Sequence, residues 1–323
     1  MPPSPSRPEP AVVGRLAPSP TGHLHVGHAW AFLLAWWSAR ARGGRVVLRL
    51  EDLDTSRARP ALADDVRREL EWLGLDWDAE RLQSRGRDRL VAAAEALAAR
   101  GLAYPCTCTR GDLARSASAP HAGDAEPRYP GTCRDRYTSA AEATRASGRA
   151  PCLRLRVPPG PVAFRDEHHG PQAFDVLAEV GDFPVCRRDG VPAYQLAVVV
   201  DDAADGVTEV VRGADLLPST ARQLLLQRAL SLPVPTWRHV PLVVDAAGRR
   251  LAKRSDDLAL ATLRAAGADP RAIVEWAARA AGLGALGRAR ADELTPRFSW
   301  ADVPRAPIRL APSVVAALLD ARA

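Results

Sequence analysis

Two histidines and a glycine lie where the sequence predicts a loop to end and a helix to begin. His25, Gly27 and His28 follow a proline-rich loop, and an apolar, aromatic run over Ala29–Trp37 continues the predicted helix. Free backbone N–H groups at a helix N-terminus favour an anion, and glycine lets that anion approach the backbone closely. Histidines one turn apart add hydrogen-bond donors. The stretch therefore suits a nucleotide phosphate on which charge develops during a reaction.

Two simpler interpretations of the histidine pair stay open on this stretch alone. A His-x-x-His pair can bind a metal, although no acidic or cysteine partner lies close to it in the sequence. The two histidines can also be ordinary residues at the start of a helix.

Lys253 is the only lysine of the chain, since every other member of the 44 basic residues is arginine. Arginine has thus replaced lysine wherever a positive charge sufficed. A position that keeps lysine is expected to need a compact point charge on a flexible stem, which suits contact with a phosphate. Chance retention is the alternative.

Glu51 directly follows the predicted strand Arg45–Leu50, at the head of an acidic cluster over 51–54. Open α/β sheets bind ligands outside the carboxyl ends of their parallel strands. Glu51 is therefore a candidate for binding the amino group of a substrate. The alternative is that this cluster caps the helix that follows.

Three of the five cysteines, Cys106, Cys108 and Cys133, lie within a stretch rich in Pro, Ser and Gly. A cytosolic cluster of this kind binds metal more often than it forms a disulfide, and zinc prefers four ligands in a tetrahedron. The candidates for the fourth position are Tyr129, His121, Asp124 and water. Reduced structural thiols are the alternative.

The composition is that of a folded protein without a membrane span. Of the 323 residues 47% are hydrophobic, and the net charge of +6 permits a nucleic-acid partner without requiring one. The longest apolar run, 29–37, is far below the ~20 residues needed to cross a bilayer. Residues 1–10 lack an apolar signal core, so a loose tail and a cytoplasmic location are expected.

The hydrophobic patterns predict alternating strands and helices. Strands are predicted over 11–17, 45–50, 152–157, 183–187, 206–211 and 239–244, and helices over 61–73, 90–100 and 219–230, besides the one beginning near Val26. Because the α/β pattern resumes near residue 190, the expected fold is one doubly wound sheet split by an insertion. The predicted units are a tail over 1–10, a split catalytic domain over 11–103 and 190–255, an insertion over 104–189, and a helical C-terminal segment over 256–323.

Four motifs in order resemble the class I aminoacyl-tRNA synthetases of the glutamyl and glutaminyl branch. Residues 14–22 with 25–28 are similar to the HIGH motif and its surroundings, and residues 250–254 to the KMSKS loop in its KLSKR form. Residues 198–203 and 206–217 also resemble that branch. The resemblance covers about 11–260 and implies a Rossmann-like catalytic core that forms glutamyl-adenylate from ATP, with Mg²⁺.

The resemblance also implies roles for individual residues. It places Arg15, Ser19, Glu51, Tyr194 and Arg212 in the glutamate pocket, and His25, Gly27, His28 and Lys253 at the ATP phosphates. The loop departs from the motif at Arg250, where the first lysine is usual, and at Ala252, where serine is usual. Leu16 replaces the usual Phe, and His28 is often a small residue in this branch.

A paralogous family, the glutamyl-Q tRNA(Asp) synthetases, is resembled more closely. Only residues 255–323 follow the KMSKS-like loop, which leaves no room for a helical anticodon-binding domain. The set Cys106, Cys108, Tyr129 and Cys133 is similar to the ligands of the single structural zinc of that family. The resemblance implies glutamate activation without tRNA, transfer to the queuosine base at the wobble position of tRNA(Asp), and, as an expectation, a monomer.

Other functions compete with this interpretation. A truncated glutamyl-tRNA synthetase would charge a tRNA 3′ end, and a non-catalytic paralogue would only bind tRNA. Retention of the glutamate-pocket residues argues against the second, because binding tRNA does not need them. A free-standing adenylate-forming enzyme with another acceptor is a further alternative.

Overall fold

The computed structural model describes residues 11–55, 58–109, 111–113, 128–249, 258–284 and 287–320. The strands are β1 Val13–Leu16, β2 Arg45–Leu50, β3 Ala79–Leu82, β4 Ala103–Cys106, β5 Cys152–Leu155, β6 Val162–Asp166, β7 Gly170–Phe174, β8 Pro184–Cys186, β9 Glu209–Gly213, β10 Thr236–Val240, β11 Val243–Val244 and β12 Ile308–Arg309. The helices are α1 Val26–Arg40, α2 Pro60–Trp72, α3 Arg87–Ala99, α4 Ala140–Ser147, α5 Val176–Glu179, α6 Tyr194–Ala204, α7 Leu217–Leu230, α8 Leu260–Ala265, α9 Pro270–Ala280, α10 Ala291–Leu294 and α11 Pro312–Asp320. None of these helices combines the length and the apolar character that crossing a membrane requires.

Strands β1 and β9 lie at the centre, and the strands next to each of them are parallel to it. On one side β1 pairs with β2 and β2 with β3, all in parallel. On the other side β9 pairs with β10 and β10 with β6 in parallel, while β7 is antiparallel to β6. Parallel strands joined by helices were expected from the alternating pattern, and the structure confirms this arrangement.

Two hydrogen bonds, one between backbone groups and one from a side chain, place β1 beside β9 at a topological switch point. The Thr208 N–H donates to the Val13 carbonyl at 2.9 Å, and Arg15 Nη1 donates to the Val211 carbonyl at 3.0 Å. Because residue numbers rise in the same direction along both strands, they run parallel. The chain order moves outward from here to β2 on one side and to β10 on the other. Such a point, at the carboxyl ends of the strands, is where open α/β sheets bind ligands.

Helix α1 is anchored by two tryptophans that are almost fully buried. Trp30 Nε1 donates to the Pro241 carbonyl at 2.8 Å, and Trp37 Nε1 donates to the Ala291 carbonyl at 2.9 Å. A buried indole N–H needs a hydrogen-bond partner, so each contact fixes the helix as well as filling the core. The first contact ties α1 to the turn after β10 and the second ties it to α10. These contacts hold the N-terminus of α1 at the switch point.

The single strand predicted over 239–244 is wrong, because the structure divides it into β10 and β11. Pro241 lies between the two and has no N–H to give to a ladder. Its carbonyl accepts the Trp30 indole N–H instead. β11 pairs in parallel with β12, which comes from the C-terminal segment.

The predicted insertion contributes to two sheets. β4, β5 and β8 form a small antiparallel sheet that carries Cys106 at its edge. β6 and β7 instead extend the sheet of β9 and β10. This part of the insertion thus packs as a continuation of the catalytic sheet, and Asp166, the last residue of β6, reaches the middle of the molecule.

Candidate active site

A cavity of about 440 Å³ opens at the carboxyl ends of β1 and β9. The predicted glutamate and ATP residues that the structure describes all line this cavity: Arg15, Ser19, His25, Gly27, His28, Glu51, Tyr194 and Arg212. Lys253 lies outside the described residues, as does the whole KMSKS-like loop over 250–254. These residues, which are far apart in the sequence, come together at one edge of the sheet. The loop after β1, the end of β2, the end of β9 and the start of α6 meet there.

The start of α1 is closed by its own histidines. His25 is the N-cap residue, its Nδ1 accepts from the Gly27 N–H at 3.0 Å, and His28 Nδ1 accepts from the His25 N–H at 3.1 Å. The prediction that these backbone N–H groups are free is therefore wrong. Since both Nδ1 atoms are acceptors, each neutral ring carries its proton on Nε2. The side chains of His25 and His28, and not these backbone N–H groups, therefore remain the candidates for contact with an anion.

Gly27 is required by the His25 ring. A Cβ at this position would lie 2.9 Å from His25 Cε1. Any larger residue would push the capping ring away, and the ring centroids of His25 and His28 are only 3.8 Å apart. Glycine here preserves the paired rings, whereas sequence reasoning assigned it only to close approach of a ligand.

Glu51 is part of a buried ion-pair network. Its side chain is 8% exposed and lies 3.5 Å from the Arg49 guanidinium. Arg49 also pairs with Asp202 at 2.7 Å and with Asp205 at 3.2 Å, and Arg15 lies 3.5 Å from Asp202. Burial raises the pKa of Glu51 above its ordinary value, although Arg49 and Arg15 oppose this. A substrate ammonium placed against Glu51 would supply the extra charge that favours the ionised carboxylate.

Sequence reasoning missed Arg49 and Asp202 as members of this network. Arg49 lies on β2 and Glu51 directly follows that strand, two residues later, so the two side chains project to the same side. Asp202 belongs to a stretch that was noticed for its resemblance and given no role. The available signal for Arg49 was a charged residue inside an otherwise apolar strand.

Arg212, near the end of β9, is the cation that stands apart from this network. It is 6% exposed, and its Nη2 donates to Thr220 Oγ1 at 2.8 Å. Its Nη1 is buried and has no hydrogen-bond partner among the described residues, and none of their carboxylates forms an ion pair with it. Burial lowers the pKa of Arg212. An unpartnered guanidinium N–H on a cavity wall is the group that a bound carboxylate would satisfy.

His239 and Asp166 lie behind Arg212. Arg212 Nε donates to His239 Nε2 at 3.0 Å, and His239 Nδ1 lies 2.6 Å from Asp166 Oδ2. Burial lowers the pKa of His239 to about 4, Arg212 acts in the same direction, and the hydrogen bond with Asp166 opposes them. The imidazole is therefore neutral at physiological pH. Sequence reasoning did not identify either residue.

Acid is expected to destabilise the protein through His239. An unfolded histidine titrates near pH 6.5, so between pH 6.5 and about 4 the unfolded chain binds a proton that the folded chain excludes. The free energy of unfolding should therefore fall as the pH falls through this window, by at most about 3 kcal/mol. Urea unfolding across the window measures this, and H239Q should lose that part of the slope. An unchanged slope in H239Q would contradict the assignment.

Tyr194 and Ser19 lie at the mouth of the cavity. Tyr194 is the first residue of α6 and is 42% exposed, and Ser19 is exposed in the loop after β1. Both are placed to contact a ligand that enters from solvent.

The first described residues after the KMSKS-like loop, from residue 258 onward, lie beside His25. The Leu260 N–H donates to the Leu24 carbonyl at 2.8 Å, and Ala259 forms an isolated bridge with His25. The residues that follow the KMSKS-like loop are thus attached to the start of α1. This contact brings the chain that follows the KMSKS-like loop next to the histidines, the other part of the predicted phosphate site.

The three clustered cysteines converge as the sequence predicted. The Sγ atoms of Cys106, Cys108 and Cys133 all lie within 4.8 Å of one another, and those of Cys108 and Cys133 are 3.6 Å apart. A tetrahedral zinc with Zn–S bonds near 2.3 Å separates two sulfur ligands by about 3.8 Å. The donor set therefore fits zinc in spacing and in chemistry.

Tyr129 lies beside this cluster. Its hydroxyl lies 3.4 Å from Cys106 Sγ and accepts from the Cys133 N–H at 2.8 Å, and the ring lies 4.0 Å from the Arg154 guanidinium carbon. A Cβ at Gly181 would lie 2.2 Å from the Tyr129 carbonyl oxygen, so glycine there permits the seating of Tyr129. The alternatives His121 and Asp124 lie outside the described residues.

Comparison with known proteins shows the family of this chain. The family described as tRNA synthetases class I (E and Q), catalytic domain, matches residues 11–288. The chain belongs to this family. Its members are ligases that form aminoacyl bonds, and class I synthetases use ATP with Mg²⁺. The mixed α/β architecture described above is accordingly the class I synthetase catalytic fold.

Relatives of this class I synthetase share most of its length. It is 47% identical over 316 residues to the glutamyl-Q tRNA(Asp) synthetase of Symbiobacterium thermophilum, covering 94% of this chain and 98% of the relative. It is 51% identical over 261 residues to the protein of the same name from Geobacter sulfurreducens, covering 80% and 81%. A crystal structure of a glutamate tRNA ligase from Elizabethkingia meningosepticum in complex with its amino acid superimposes with a TM-score of 0.81, at 25% identity, covering 95% of this chain and 68% of that one.

Proposed function

We propose that this synthetase activates L-glutamate with ATP and transfers it to the queuosine base at the wobble position of tRNA(Asp). The observation that supports it most strongly is Arg212, a buried cation lining the cavity whose Nη1 has no hydrogen-bond partner among the described residues. The same cavity holds Glu51 and the paired histidines. A carboxylate of a bound amino acid can therefore pair with Arg212 and its ammonium with Glu51, beside the histidines proposed to bind phosphate.

Glutamate binds by its two charged ends that do not react. The side-chain carboxylate accepts from Arg212, with Arg15 beside it, and the ammonium lies against Glu51. The α-carboxylate is thereby left to face ATP. Tyr194 and Ser19 close the cavity mouth over the substrate. Holding the reactants in this order removes much of the entropic cost of the first step.

The chemistry needs positioning and charge stabilisation more than covalent help. An oxygen of the α-carboxylate attacks the α-phosphorus of ATP, the bond to the bridging oxygen breaks, and pyrophosphate leaves with glutamyl-adenylate formed. The Nε2–H groups of His25 and His28 donate to phosphate oxygens, and Lys253 supplies a positive charge. Mg²⁺ bound with ATP would help to offset the negative charge of the phosphates.

Transfer to tRNA follows from the same adenylate. A hydroxyl of the queuosine base attacks the carbonyl carbon, the bond to AMP breaks, and the hydroxyl proton is lost to solvent. The names of the relatives support this choice of acceptor, and these relatives match the chain over most of its length. We propose that the protein works as a cytoplasmic monomer, with a catalytic domain over 11–103 and 190–255, an insertion over 104–189 and a C-terminal segment over 256–323.

We also propose that one structural zinc is held by Cys106, Cys108, Cys133 and Tyr129. C106S is expected to lower the zinc content from about one per chain to well below half, because a hydroxyl is a poor replacement for a thiolate ligand. Elemental analysis of purified protein measures the content. C186S is the matched control, since Cys186 lies outside the cluster. Parent protein without zinc, or C106S with full zinc, would contradict the site.

Exchange of pyrophosphate into ATP tests the activation step. Purified protein is given L-glutamate and Mg²⁺, with and without tRNA. Exchange without tRNA is the expected result. Exchange only with tRNA would instead support a truncated glutamyl-tRNA synthetase, and no exchange under either condition would support a tRNA-binding paralogue without catalysis.

A further inference from the structure

We infer that Asp166 and His239 are positioning residues that aim Arg212 at the substrate carboxylate without forming an ion pair with it. The inference rests on the proposed function, since it takes the side-chain carboxylate of glutamate to be the group that Arg212 binds. Asp166 ends β6, His239 lies on β10 and Arg212 on β9, so three adjacent strands contribute one residue each.

The hydrogen bonds in this chain of groups run in one direction. Arg212 Nε must donate, because a guanidinium has no acceptor, so His239 Nε2 accepts at 3.0 Å. His239 then carries its proton on Nδ1 and donates it to Asp166 Oδ2 at 2.6 Å. Asp166 Oδ1 accepts from the backbone N–H groups of His168 and His169, at 3.0 and 2.7 Å. The carboxylate is therefore fixed, and it fixes the tautomer of the imidazole.

Thr220 completes the orientation of the guanidinium. Its Oγ1 accepts from Arg212 Nη2 at 2.8 Å and lies 3.3 Å from His239 Nε2. With Nε and Nη2 both held, the planar guanidinium has no rotational freedom left. Nη1 is the remaining edge, and it is the buried atom without a partner among the described residues.

The other two arginines of the site are arranged differently. Arg49 pairs directly with three carboxylates, and Arg15 lies 3.5 Å from Asp202. Their charges are therefore largely balanced within the protein. Arg212 is hydrogen-bonded by neutral acceptors, and Asp166 reaches it only through the His239 ring, while Asp202 and Asp215 act on it electrostatically without an ion pair. Among these three arginines, only Arg212 forms no ion pair with a carboxylate of the described residues, so a bound carboxylate can take that place.

Variants of Thr220 separate orientation from charge. T220D places a carboxylate directly on Arg212 in a site of similar volume, and T220S keeps the hydroxyl. In pyrophosphate exchange, T220D is expected to raise the KM for glutamate at least about 100-fold, since the substrate then competes with an internal carboxylate. The ratio of kcat/KM for glutamate over glutamine should fall in T220D, because neutral glutamine does not lose an ionic contact. T220S should stay within about threefold of the parent protein.

Variants of Asp166 and His239 test whether the tautomer of the His239 imidazole matters. In D166N the amide can donate to His239 Nδ1, which would turn Nε2 into a donor facing Arg212 Nε. D166N and H239Q are both expected to raise the KM for glutamate roughly tenfold, with the KM for ATP and the kcat close to those of the parent protein. H168Q is the matched control: His168 is also buried on this side of the sheet, its side chain faces the Pro304 carbonyl, and its contact with Asp166 is through the backbone.

The outcomes distinguish this inference from the proposed function. No glutamate-dependent exchange by the parent protein would overturn the proposed function and the inference with it. Exchange by the parent protein, with unchanged glutamate KM and unchanged selectivity in folded T220D and H239Q, would overturn the inference alone. Equal losses for glutamate, glutamine and ATP in every variant, H168Q included, would show a structural effect and also contradict it.

Discussion

R212M is expected to raise the KM for glutamate by two to three orders of magnitude and to abolish most of the preference for glutamate over glutamine. Methionine keeps much of the buried length and removes the charge. A buried, charge-assisted contact to a carboxylate contributes about 3–4 kcal/mol, which corresponds to this factor. Pyrophosphate exchange with each amino acid measures both quantities. The KM for ATP should change little, because Arg212 lies at the end of the cavity where we propose that glutamate binds.

R238M is the control for the loss of a large cation from the same sheet. Arg238 lies on β10, donates to Glu209 at 3.1 Å and stacks on Trp300, away from the cavity. Its substitution should leave the glutamate KM and the selectivity as they are. If R212M kept the full preference for glutamate, the position of the substrate side chain proposed above would be wrong.

K253A is expected to lower the kcat of pyrophosphate exchange at least about 100-fold with little change in the KM for glutamate. Removing one preorganised charge from a reacting phosphate has an effect of this size. Lys253 lies outside the described residues, so the reason comes from the sequence and from the chain around it. It is the only lysine, and the chain that follows its loop is attached to His25 at the start of α1.

Two further variants make this result specific. K253R keeps the charge and loses the compact ammonium, so it should recover only part of the rate. R249A removes an exposed basic residue close in sequence, one that pairs with Asp245, and should behave like the parent protein. Near-normal exchange by folded K253A would exclude Lys253 from the reaction.

The local elements of the site could be predicted from the sequence because their signals are local. Proline and glycine end the loop before α1, and the helix begins at Val26 as expected; β2 has the predicted bounds, Arg45–Leu50. The described motif residues predicted for the glutamate and phosphate sites line one cavity, because each lies at or near an element end at the carboxyl edge of the sheet.

What the sequence could not provide is the set of groups that orient those residues. Asp166 lies 73 positions before His239, and His239 lies 27 positions after Arg212, so no periodicity connects them. The predicted insertion also hid Asp166, since β6 joins the catalytic sheet only through tertiary pairing with β10. The backbone N–H groups at the start of α1 were expected to be free, and only the side-chain geometry shows that His25 and His28 occupy them.

The most direct test of the account is transfer of labelled glutamate to two preparations of tRNA(Asp) that differ only at the wobble base. One carries queuosine and the other guanosine, and each is also tested after removal of its 3′-terminal adenosine. We expect only the queuosine-containing tRNA to be labelled, and we expect its labelling to stay the same after the 3′ adenosine is removed. Labelling that is independent of queuosine and disappears with the 3′ adenosine would contradict it and show a synthetase that charges the acceptor end.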